Sequence, residues 1–261
     1  MQPPRVLILH APGTNRDKDA ALAVEMAGGK PEIVLMKTAL DPTFPWFNYQ
    51  MIIIPGGFSY GDDLGAGRIW AHTLQTQLHD VFSAFVEKGR PVLGICNGFQ
   101  VLVKSGILPA LSKPTITSPQ ATLTFNTSGH FECRWVWIEA DPQSPCIFTG
   151  GETLRVLCPV AHGEGKFVAA NDGVASALLN QHQVALRYVG AEGQPASYPD
   201  NPNGSLFDIA GVCNPTGNVL GLMPHPEDHI FPQQHPHFHR GISTGSGLAL
   251  FERGLAYAAQ L

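Results

Sequence analysis

Short apolar runs alternate with helical patterns of apolar residues in the first third of the chain. Four apolar runs predict buried strands, at residues 6–9, 33–36, 51–54 and 92–95. Apolar residues at three- and four-residue spacing predict helices over 20–27 and 70–86, which end at Gly28 and before Gly89. Continuous apolar strands separated by helices are typical of a parallel sheet covered on both faces, in which functional residues lie at the carboxyl ends of the strands. The pattern therefore predicts an α/β fold.

The pattern becomes richer in strands after residue 109. Residues 131–138 alternate like a strand exposed on one face, and runs at 156–160, 166–170 and 183–188 predict further strands. Residues 191–205 are rich in Gly, Pro and Asn, which predicts turns at the surface. Residues 217–223 predict a last strand and residues 246–259 a closing helix. We find no internal repeat and no long linker, so we expect one domain over residues 1–261.

The composition describes a globular chain with a large core and few charges. Of 261 residues, 44% are apolar and only 14% are charged, which excludes disordered, coiled-coil and collagen-like chains. The net charge of -5 gives no electrostatic footprint for nucleic acid or a membrane, so neither is predicted as a partner. No apolar run approaches the about 20 residues that span a bilayer, and the N-terminal residues lack the apolar core of a signal peptide, so we expect a cytoplasmic protein.

Cys96 is the first candidate for chemistry. The apolar run 92–95 leads directly into this thiol and then into an apparent helix, with Gly94 and Gly98 on either side. A sharp strand-to-helix turn would present the thiol at the sheet edge and at a helix N-terminus, where partial positive charge favours the reactive thiolate. The N–H of Asn97 would point into the same site. Alternatively, Cys96 is a small buried core residue, like most free cysteines. The other four cysteines are irregularly spaced and indicate neither a disulfide framework nor a metal site.

A nucleophilic thiol needs a base and a group that orients the base. His225 follows the last predicted strand, and Glu227 lies two residues later, on the same side of an extended chain. Alternatively, both are exposed residues at the end of a strand. The other histidines are weaker candidates, and we expect His72, His79 and His182 to lie on the solvated surface.

Five motifs along the chain resemble a known enzyme family. They are PGTN at 12–15, PGGFSYGD at 55–62, GICNGFQ at 94–100, AHGEG at 161–165 and GLMPHPE at 221–227. The spacing of the Cys, His and Glu residues resembles that of the triad-type glutamine amidotransferases. All five motifs together are similar to the glutaminase subunits of phosphoribosylformylglycinamidine synthase, an enzyme of purine biosynthesis. The resemblance covers nearly the whole chain.

The resemblance implies a fold and a reaction. The fold would be a flavodoxin-like three-layer sandwich, with a central mostly parallel sheet flanked by helices and an added antiparallel β region. Cys96 would attack L-glutamine and form a thioester, His225 would act as general base and acid, and Glu227 would orient His225, releasing glutamate and ammonia. The resemblance further implies an oxyanion hole formed by the backbone of Asn97 with that of Gly57 or Phe58, and glutamine-binding residues Gln100, His162, Gly163 and Glu164.

The sequence contains no phosphate-binding loop, and Gly65-Ala66-Gly67 lacks the third glycine of a dinucleotide site. We therefore expect no cofactor in this chain. If ammonia is added to formylglycinamide ribonucleotide, ATP and magnesium must bind to a partner. The resemblance implies a large synthetase subunit and a small bridging subunit as partners.

The chain departs from the family pattern in three places. Arg16 stands where many relatives have Cys, which we expect to alter a surface but no catalytic role. Gly65 stands where shorter members often have Arg, so contacts with partner subunits are expected to differ. Residues 229–240 form a longer segment than in those members, in which His235, His237 and His239 alternate. Alternating histidines suggest a metal site, but the neighbouring prolines and the absence of Cys or acidic ligands favour an exposed loop. We therefore predict no metal.

Two other classes of function remain open from the sequence. One is a stand-alone cysteine hydrolase or stress protein with a flavodoxin-like fold, which would not require the segment around His225. The other is a non-catalytic regulatory or scaffold subunit that kept the fold. Hydrolysis of glutamine that depends on Cys96 would distinguish both from a glutaminase.

Overall fold

Strands and helices alternate along the chain, as the apolar pattern predicts. The computed structural model describes residues 2–111 and 119–261. Its first half contains β1 (Arg5–His10), α1 (Asp17–Met26), β2 (Lys30–Leu35), α2 (Met36–Ala39), β3 (Met51–Ile54), α3 (Arg68–Gln77), α4 (His79–Glu87), β4 (Val92–Ile95) and α5 (Asn97–Lys104). Its second half contains β5 (Ala121–Thr124), β6 (Glu132–Ala140), β7 (Arg155–His162), β8 (Lys166–Ala169), α6 (Asp172–Asn180), β9 (Leu186–Val189), β10 (Ile209–Cys213), β11 (Val219–Leu222) and α7 (Leu248–Ala258). Within the described ranges, no helix combines the length and the apolar character needed to cross a membrane.

In the part of the chain that the structure describes, one nine-stranded sheet organises the fold, in the order β2-β1-β3-β4-β11-β10-β9-β6-β7. The first five strands in this order pair in parallel, and the pairs from β11 to β7 are antiparallel. The strands β3, β4 and β11 are buried at every residue, because helices cover both faces of the parallel half. The predicted α/β fold, with a flavodoxin-like order and an added antiparallel region, is confirmed.

The predicted helix over 70–86 is two helices. Leu78 lies between α3 and α4 with φ -122° and ψ 6°, outside the helical region. Its side chain nevertheless stays buried, as do Leu74 before it and Phe82 after it. The apolar spacing therefore continues across the break, and for this reason the pattern did not reveal it.

Other boundaries also differ from the predictions. β2 begins at Lys30 and ends at Leu35, earlier than predicted, because this edge strand buries Val34 alone among its residues and the apolar signal lies at its end. β9 begins at Leu186 rather than at residue 183. The side chain of Gln183 is buried and donates to the carbonyl oxygens of Pro109 and Cys213. The elements β5, β10 and α6 were not predicted.

The segment 191–205 lies only partly on the surface. Tyr198 is exposed, but Asn201, Asn203 and Ser205 are buried. Asn203 donates to the carbonyl oxygen of Gly165 at 2.8 Å and to the hydroxyl of Tyr188 at 3.1 Å. The prediction of a surface region is therefore wrong for its last residues, whose polar side chains satisfy buried backbone groups.

Candidate active site

The carboxyl ends of four parallel strands converge on one site. The loop after β1 contains residues 12–15, Gly57 follows β3, Cys96 follows β4 and His225 follows β11. The N–H of Cys96 donates to the carbonyl oxygen of Leu222 at 2.8 Å, so the ends of β4 and β11 are joined directly beneath the site. This is the edge at which parallel sheets place functional residues.

Cys96 occupies the predicted strand-to-helix turn. Its φ of 51° and ψ of -103° are unusual for a residue with a side chain. The turn is tight: a Cβ atom on Gly98 would lie 1.8 Å from the carbonyl oxygen of Ile54, and one on Gly94 would lie 2.5 Å from a methyl of Leu102. Glycine is therefore required on both sides of the thiol. The Cys96 Sγ atom is buried and lies 3.7 Å from the carbonyl oxygen of Ala161, at the end of β7.

His225 lies between the thiol and a carboxylate. Its Nδ1 atom is 2.7 Å from Glu227 Oε1, and the Cys96 side chain is close enough to the ring to raise its pKa. Because Glu227 occupies Nδ1, Nε2 is the nitrogen that faces the thiol. A Cβ atom on Gly56 would lie 2.7 Å from the His225 ring, so the missing side chain makes room for the imidazole. The structure thus brings together the three residues predicted as a triad.

Glu227 reaches the ring by a route that differs from the prediction. The segment is not extended, because residues Pro226–Asp228 form a 3-10 turn. The N–H of Asp228 donates back to the carbonyl oxygen of His225 at 3.2 Å, which closes the turn. Curling of the chain at Pro226, rather than alternation along a strand, aligns the two side chains.

Burial and charge act in opposite directions on His225. Burial lowers the pKa of this imidazole, but the charges of Glu227 and Cys96 and the hydrogen bonds to both raise it, and the net result is a pKa well above its ordinary value. The protonated ring is therefore favoured between two groups that can carry negative charge. Glu227 is buried, and its second oxygen has no hydrogen-bond partner among the described residues.

The three residues predicted to form the oxyanion hole differ from one another in the surroundings of their backbone N–H groups. Asn97 is the first residue of α5, so its N–H has no acceptor within the helix. Gly57 has a φ of 141°, and a Cβ atom there would lie 2.8 Å from the nitrogen of Asn15. The N–H of Phe58 donates to the carbonyl oxygen of Gly13 at 3.0 Å. The Phe58 amide is therefore engaged within the loop, whereas that of Asn97, at the start of α5, has no acceptor within the helix.

Two of the residues predicted to bind glutamine support each other. Gln100 is buried, receives a hydrogen bond from the Asn97 side chain at 2.9 Å and donates to the carbonyl oxygen of Glu164 at 2.7 Å. The Glu164 carboxylate accepts from the N–H of Ala66 and forms an ion pair with Lys104 at 3.3 Å. Both side chains are thus engaged with the protein and fix the turn 162–165 against α5.

His162 presents an unused acceptor. The Asn126 amide donates to the carbonyl oxygens of His130 and His162, so its Oδ1 accepts from the His162 Nδ1–H at 3.1 Å. His162 Nε2 therefore carries a lone pair, and this buried atom has no partner among the described residues. Burial, and then the positive charge of His225, lower the pKa of His162 to about 4, so the ring is neutral near pH 7. Gly163 accepts a hydrogen bond from the N–H of Asn126 at 2.9 Å.

The sequence reasoning missed Asn126, Asp62 and Asp228. Asn126 holds the His162 turn and has no motif of its own. Asp62 lies in the PGGFSYGD block, 3.5 Å from the Asn97 side chain, and burial raises its pKa. Asp228 directly follows Glu227 and forms an ion pair with Arg16 at 3.4 Å. Only Asp62 and Asp228 lie within or beside quoted motifs, which is the signal that could have identified them.

The alternating histidines 235, 237 and 239 do not form a ligand set. The structure shows no group of three or more His, Cys, Asp or Glu residues suited to a metal within 2–111 and 119–261. His235 Nδ1 accepts from the N–H of His237 at 2.9 Å, and its ring lies 5.5 Å from that of His229. The expected exposed loop is present at His237 and His239 but wrong at His235, which is buried.

The remaining candidate histidines lie away from the site. His72 is exposed on α3. His79 and His182 are partly exposed and lie 3.1 Å and 3.3 Å from the carboxylates of Asp80 and Asp141. The expectation that they lie at the solvated surface agrees with these positions.

Comparison with known proteins places this site in a family. Residues 3–258 match the model of the CobB/CobQ-like glutamine amidotransferase domain. Phosphoribosylformylglycinamidine synthase subunit PurQ of Treponema denticola is 46% identical, over 97% of this chain and 98% of that protein. The PurQ subunit of Dehalococcoides mccartyi is 41% identical, over 98% of both chains. The chain belongs to the PurQ family.

A solved structure from the same family has the same fold. The structure of PurLQS from Thermotoga maritima contains a chain that aligns with a TM-score of 0.72 and 33% identity, over 98% of this chain and 99% of that one. The alignment extends over nearly the full length of both chains. The PurQ fold therefore includes the antiparallel half of the sheet as well as the parallel half.

Proposed function

We propose that this PurQ-family chain is the glutaminase subunit of phosphoribosylformylglycinamidine synthase. It hydrolyses L-glutamine to glutamate and ammonia and delivers the ammonia to a synthetase subunit. That subunit uses it to convert formylglycinamide ribonucleotide to formylglycinamidine ribonucleotide in purine biosynthesis. The observation that carries the proposal is the buried series Cys96–His225–Glu227 at the carboxyl ends of β4 and β11, in which His225 is hydrogen-bonded to Glu227 and interacts with the Cys96 thiol. Membership of the PurQ family supports it independently.

The mechanism assigns one role to each residue of this series. The Cys96 thiolate attacks the side-chain amide carbon of glutamine, and the carbonyl π electrons move onto oxygen. The His225 imidazolium then gives its Nε2 proton to the amide nitrogen, so the C–N bond breaks and ammonia leaves. Water attacks the resulting thioester while His225 takes its proton, and glutamate leaves as the thiolate reforms. Glu227 holds the ring by its Nδ1–H and stabilises its positive charge.

The oxyanion forms twice in this cycle and needs two donors. The N–H of Asn97 is one donor in the proposal, and the N–H of Gly57 is the second. The N–H of Phe58 would be available only after its hydrogen bond to Gly13 is broken, so we assign it a role only if the loop after β3 moves. Losing one such donor typically lowers the rate by about 100- to 1,000-fold.

Glutamine carries an ammonium group and an amide NH₂, both hydrogen-bond donors. Two buried acceptors next to the triad have no partner among the described residues: His162 Nε2 and the Oδ1 atom of Asn97. We assign to them the binding of glutamine N–H groups. Gln100, Gly163 and Glu164 support this binding indirectly, because they fix the turn that carries His162.

The nucleotide chemistry belongs to partners in this proposal. ATP and magnesium bind to a large synthetase subunit, and a small bridging subunit completes the enzyme. The PurLQS name of the related Thermotoga maritima structure supports such an assembly. We further propose that residues 1–261 act as one glutamine amidotransferase domain and that the enzyme works in the cytoplasm.

The test compares two nitrogen sources in the enzyme assembled with its synthetase. We expect Cys96→Ala to lower glutamine-dependent formation of the amidine by at least about 1,000-fold, because no thioester can form. The same variant should use added ammonium salt as well as the wild type does. Cys133→Ala removes an exposed thiol and is the matched control, with full activity from either source. Glutamine-dependent activity that persists in Cys96→Ala would refute the proposal.

A further inference from the structure

Arg16 lies beside Gly56, the glycine that the His225 ring also approaches. Its backbone N–H donates to the carbonyl oxygen of Gly56 at 3.3 Å. A Cβ atom on Gly56 would lie 3.4 Å from Arg16 Cγ and 2.7 Å from His225 Cε1, so the arginine stem and the imidazole flank the same glycine. Arg16 is thus packed against the site rather than projecting from a distant surface.

The Arg16 guanidinium connects the start of α1 to the turn that carries Glu227. Its Nη1 atom lies 3.1 Å from Asp19 Oδ2 and 3.4 Å from Asp228 Oδ1. Asp19 is on α1, whereas Asp228 is the last residue of the closed turn that follows His225. The ion pair therefore ties this turn to an element from the opposite end of the sequence.

Two adjacent carboxylates make this contact important. Glu227 is fully buried and Asp228 is partly buried, with 20% of its side chain exposed. The positive charges that face these two carboxylates are carried by His225, on the turn, and by Arg16, before α1. Asp19 on α1 and the Cys158 thiol on β7 are the other titratable groups near Asp228.

The ion pair exists only above a certain pH. Burial and the charge of Glu227 raise the pKa of Asp228. The charges of His225 and Arg16 lower this pKa and the charge of Asp19 raises it, which gives a net value of about 6. Asp228 is therefore ionised at neutral pH and becomes protonated as the pH falls through about 6. Below that pH the attraction to Arg16 is lost.

We propose that Arg16 is a positioning residue for glutamine hydrolysis: through its ion pair with Asp228 it holds the turn that keeps Glu227 against His225. The inference rests on the proposed function, because it assigns Arg16 to the same triad. Arg16 touches neither substrate nor the reacting atoms in this role. Its contribution acts on the geometry of the His225–Glu227 pair.

The test measures kcat for glutamine hydrolysis in the assembled enzyme between about pH 5 and pH 8. For a partly exposed ion pair we expect Arg16→Met to lower kcat about three- to fivefold at neutral and higher pH. The ratio of wild-type to variant kcat should approach one near pH 5, where the wild type has itself lost the pair. Arg16→Lys keeps the charge and should restore most of the activity.

Two further sets of variants identify the cause. Asp228→Asn should cause the same loss of kcat as Arg16→Met, and the double variant no greater loss, because each change removes the Arg16–Asp228 ion pair and the Asp19 pair lies on α1, away from the turn. Arg5→Met is the matched control. Arg5 also has 39% of its side chain exposed and also forms an ion pair, with Glu32, but it lies at the start of β1, far from the thiol. Its kcat ratio should stay at one at every pH.

A readout without glutamine separates this inference from the proposed function. The rate of Cys96 alkylation by iodoacetamide, followed on the Cys96 peptide by mass spectrometry, should show the same pH-dependent ratios in the isolated chain. If these ratios hold but the wild-type enzyme does not hydrolyse glutamine, the proposed function fails and the positioning role stands. The inference is overturned if Arg16→Met matches the wild type, if its ratio is constant across pH, or if the two single losses add.

Discussion

At the scale of single residues, the side chains of Glu227 and Cys96 determine the orientation and protonation of the His225 ring. The Glu227 carboxylate fixes Nδ1, and the thiol of Cys96 faces the other nitrogen. The buried carboxylate also provides the charge that keeps the ring protonated against the effect of burial. A change that keeps the shape of Glu227 but removes its charge therefore tests the electrostatic role directly.

We expect Glu227→Gln to lower kcat by about 1,000-fold or more and to leave KM for glutamine nearly unchanged. An amide lacks the charge that stabilises the imidazolium and can donate to Nδ1, which would place the proton on the wrong nitrogen. The measurement is release of ammonia from glutamine by the assembled enzyme. Glu252→Gln, on the exposed side of α7, is the control. A higher KM with unchanged kcat would show instead that Glu227 only shapes the glutamine pocket.

Sequence reasoning singled out the candidate residues that lie within short motifs at the ends of strands. Cys96 and the His225–Glu227 pair each lie within one short motif at the end of an apolar strand. The supporting contacts were not found, because they join distant parts of the chain. His162 and Asn126 are 36 positions apart, and Arg16 and Asp228 are 212 positions apart. No periodicity in a single sequence indicates which of many Asn or Asp residues such a partner will be.

At the scale of elements, the helix α5 lies unusually close to the strand β3. The backbone of Gly98, the second residue of α5, approaches the carbonyl oxygen of Ile54 so closely that no side chain fits between them. The backbone of Ile54 cannot move without disturbing the centre of the sheet. The position of the Cys96 turn therefore depends on an element contact that only glycine permits.

Gly98→Ala should lower the free energy of unfolding by about 3 kcal/mol or more, because its methyl group would overlap the Ile54 carbonyl. The matched control is Gly173→Ala, at the second residue of α6, where the new Cβ would meet nothing nearer than the Asn171 side chain at 3.1 Å. We expect the control to change the free energy by no more than about 1 kcal/mol. Urea denaturation of both variants measures the difference. Equal stability of the two would contradict the proposed overlap.

Element types were predicted well where apolar residues are large and continuous, as in β3 and β4. β10 was missed because its two β-branched residues, Ile209 and Val212, are separated by Ala210 and Gly211, residue types that are depleted in strands. Gly211 in that strand is nevertheless required, since a Cβ atom there would lie 2.7 Å from the carbonyl oxygen of Gly221. The requirement for glycine at this position comes from the close contact between β10 and β11, which the sequence alone does not show.

At the scale of the whole molecule, the site joins the two halves of the sheet. Cys96 and His225 follow parallel strands, whereas Ala161 and His162 end β7, at the far side of the antiparallel half. The carbonyl oxygen of Ala161 still comes within 3.7 Å of the Cys96 Sγ atom. A buried neutral histidine from the antiparallel half of the sheet thus lies beside the triad, and this has a consequence for stability in acid.

His162 should destabilise the folded protein as the pH falls from about 6.5 to about 4. Its pKa is lower in the folded protein than its ordinary value, about 4 against 6.5, so the unfolded chain binds the proton more readily in this range. The loss amounts to about 3 kcal/mol when complete. We expect His162→Gln to lose less stability than the wild type between pH 7 and pH 4 in urea denaturation. His72→Gln, at an exposed position on α3, is the control and should follow the wild type.

The place of β11 in the sheet sets the order in which the thiol gains its partner during synthesis. Among the strands of residues 2–111 and 119–261, β11 comes last in sequence, yet it lies between β4 and β10, in the interior of the sheet. A nascent chain that has emerged from the ribosome only as far as residue 218 holds the cysteine but neither the bridging strand nor the imidazole. The reactive centre can therefore form only once β11 has been synthesised and lies between β4 and β10, where it unites the two halves of the sheet.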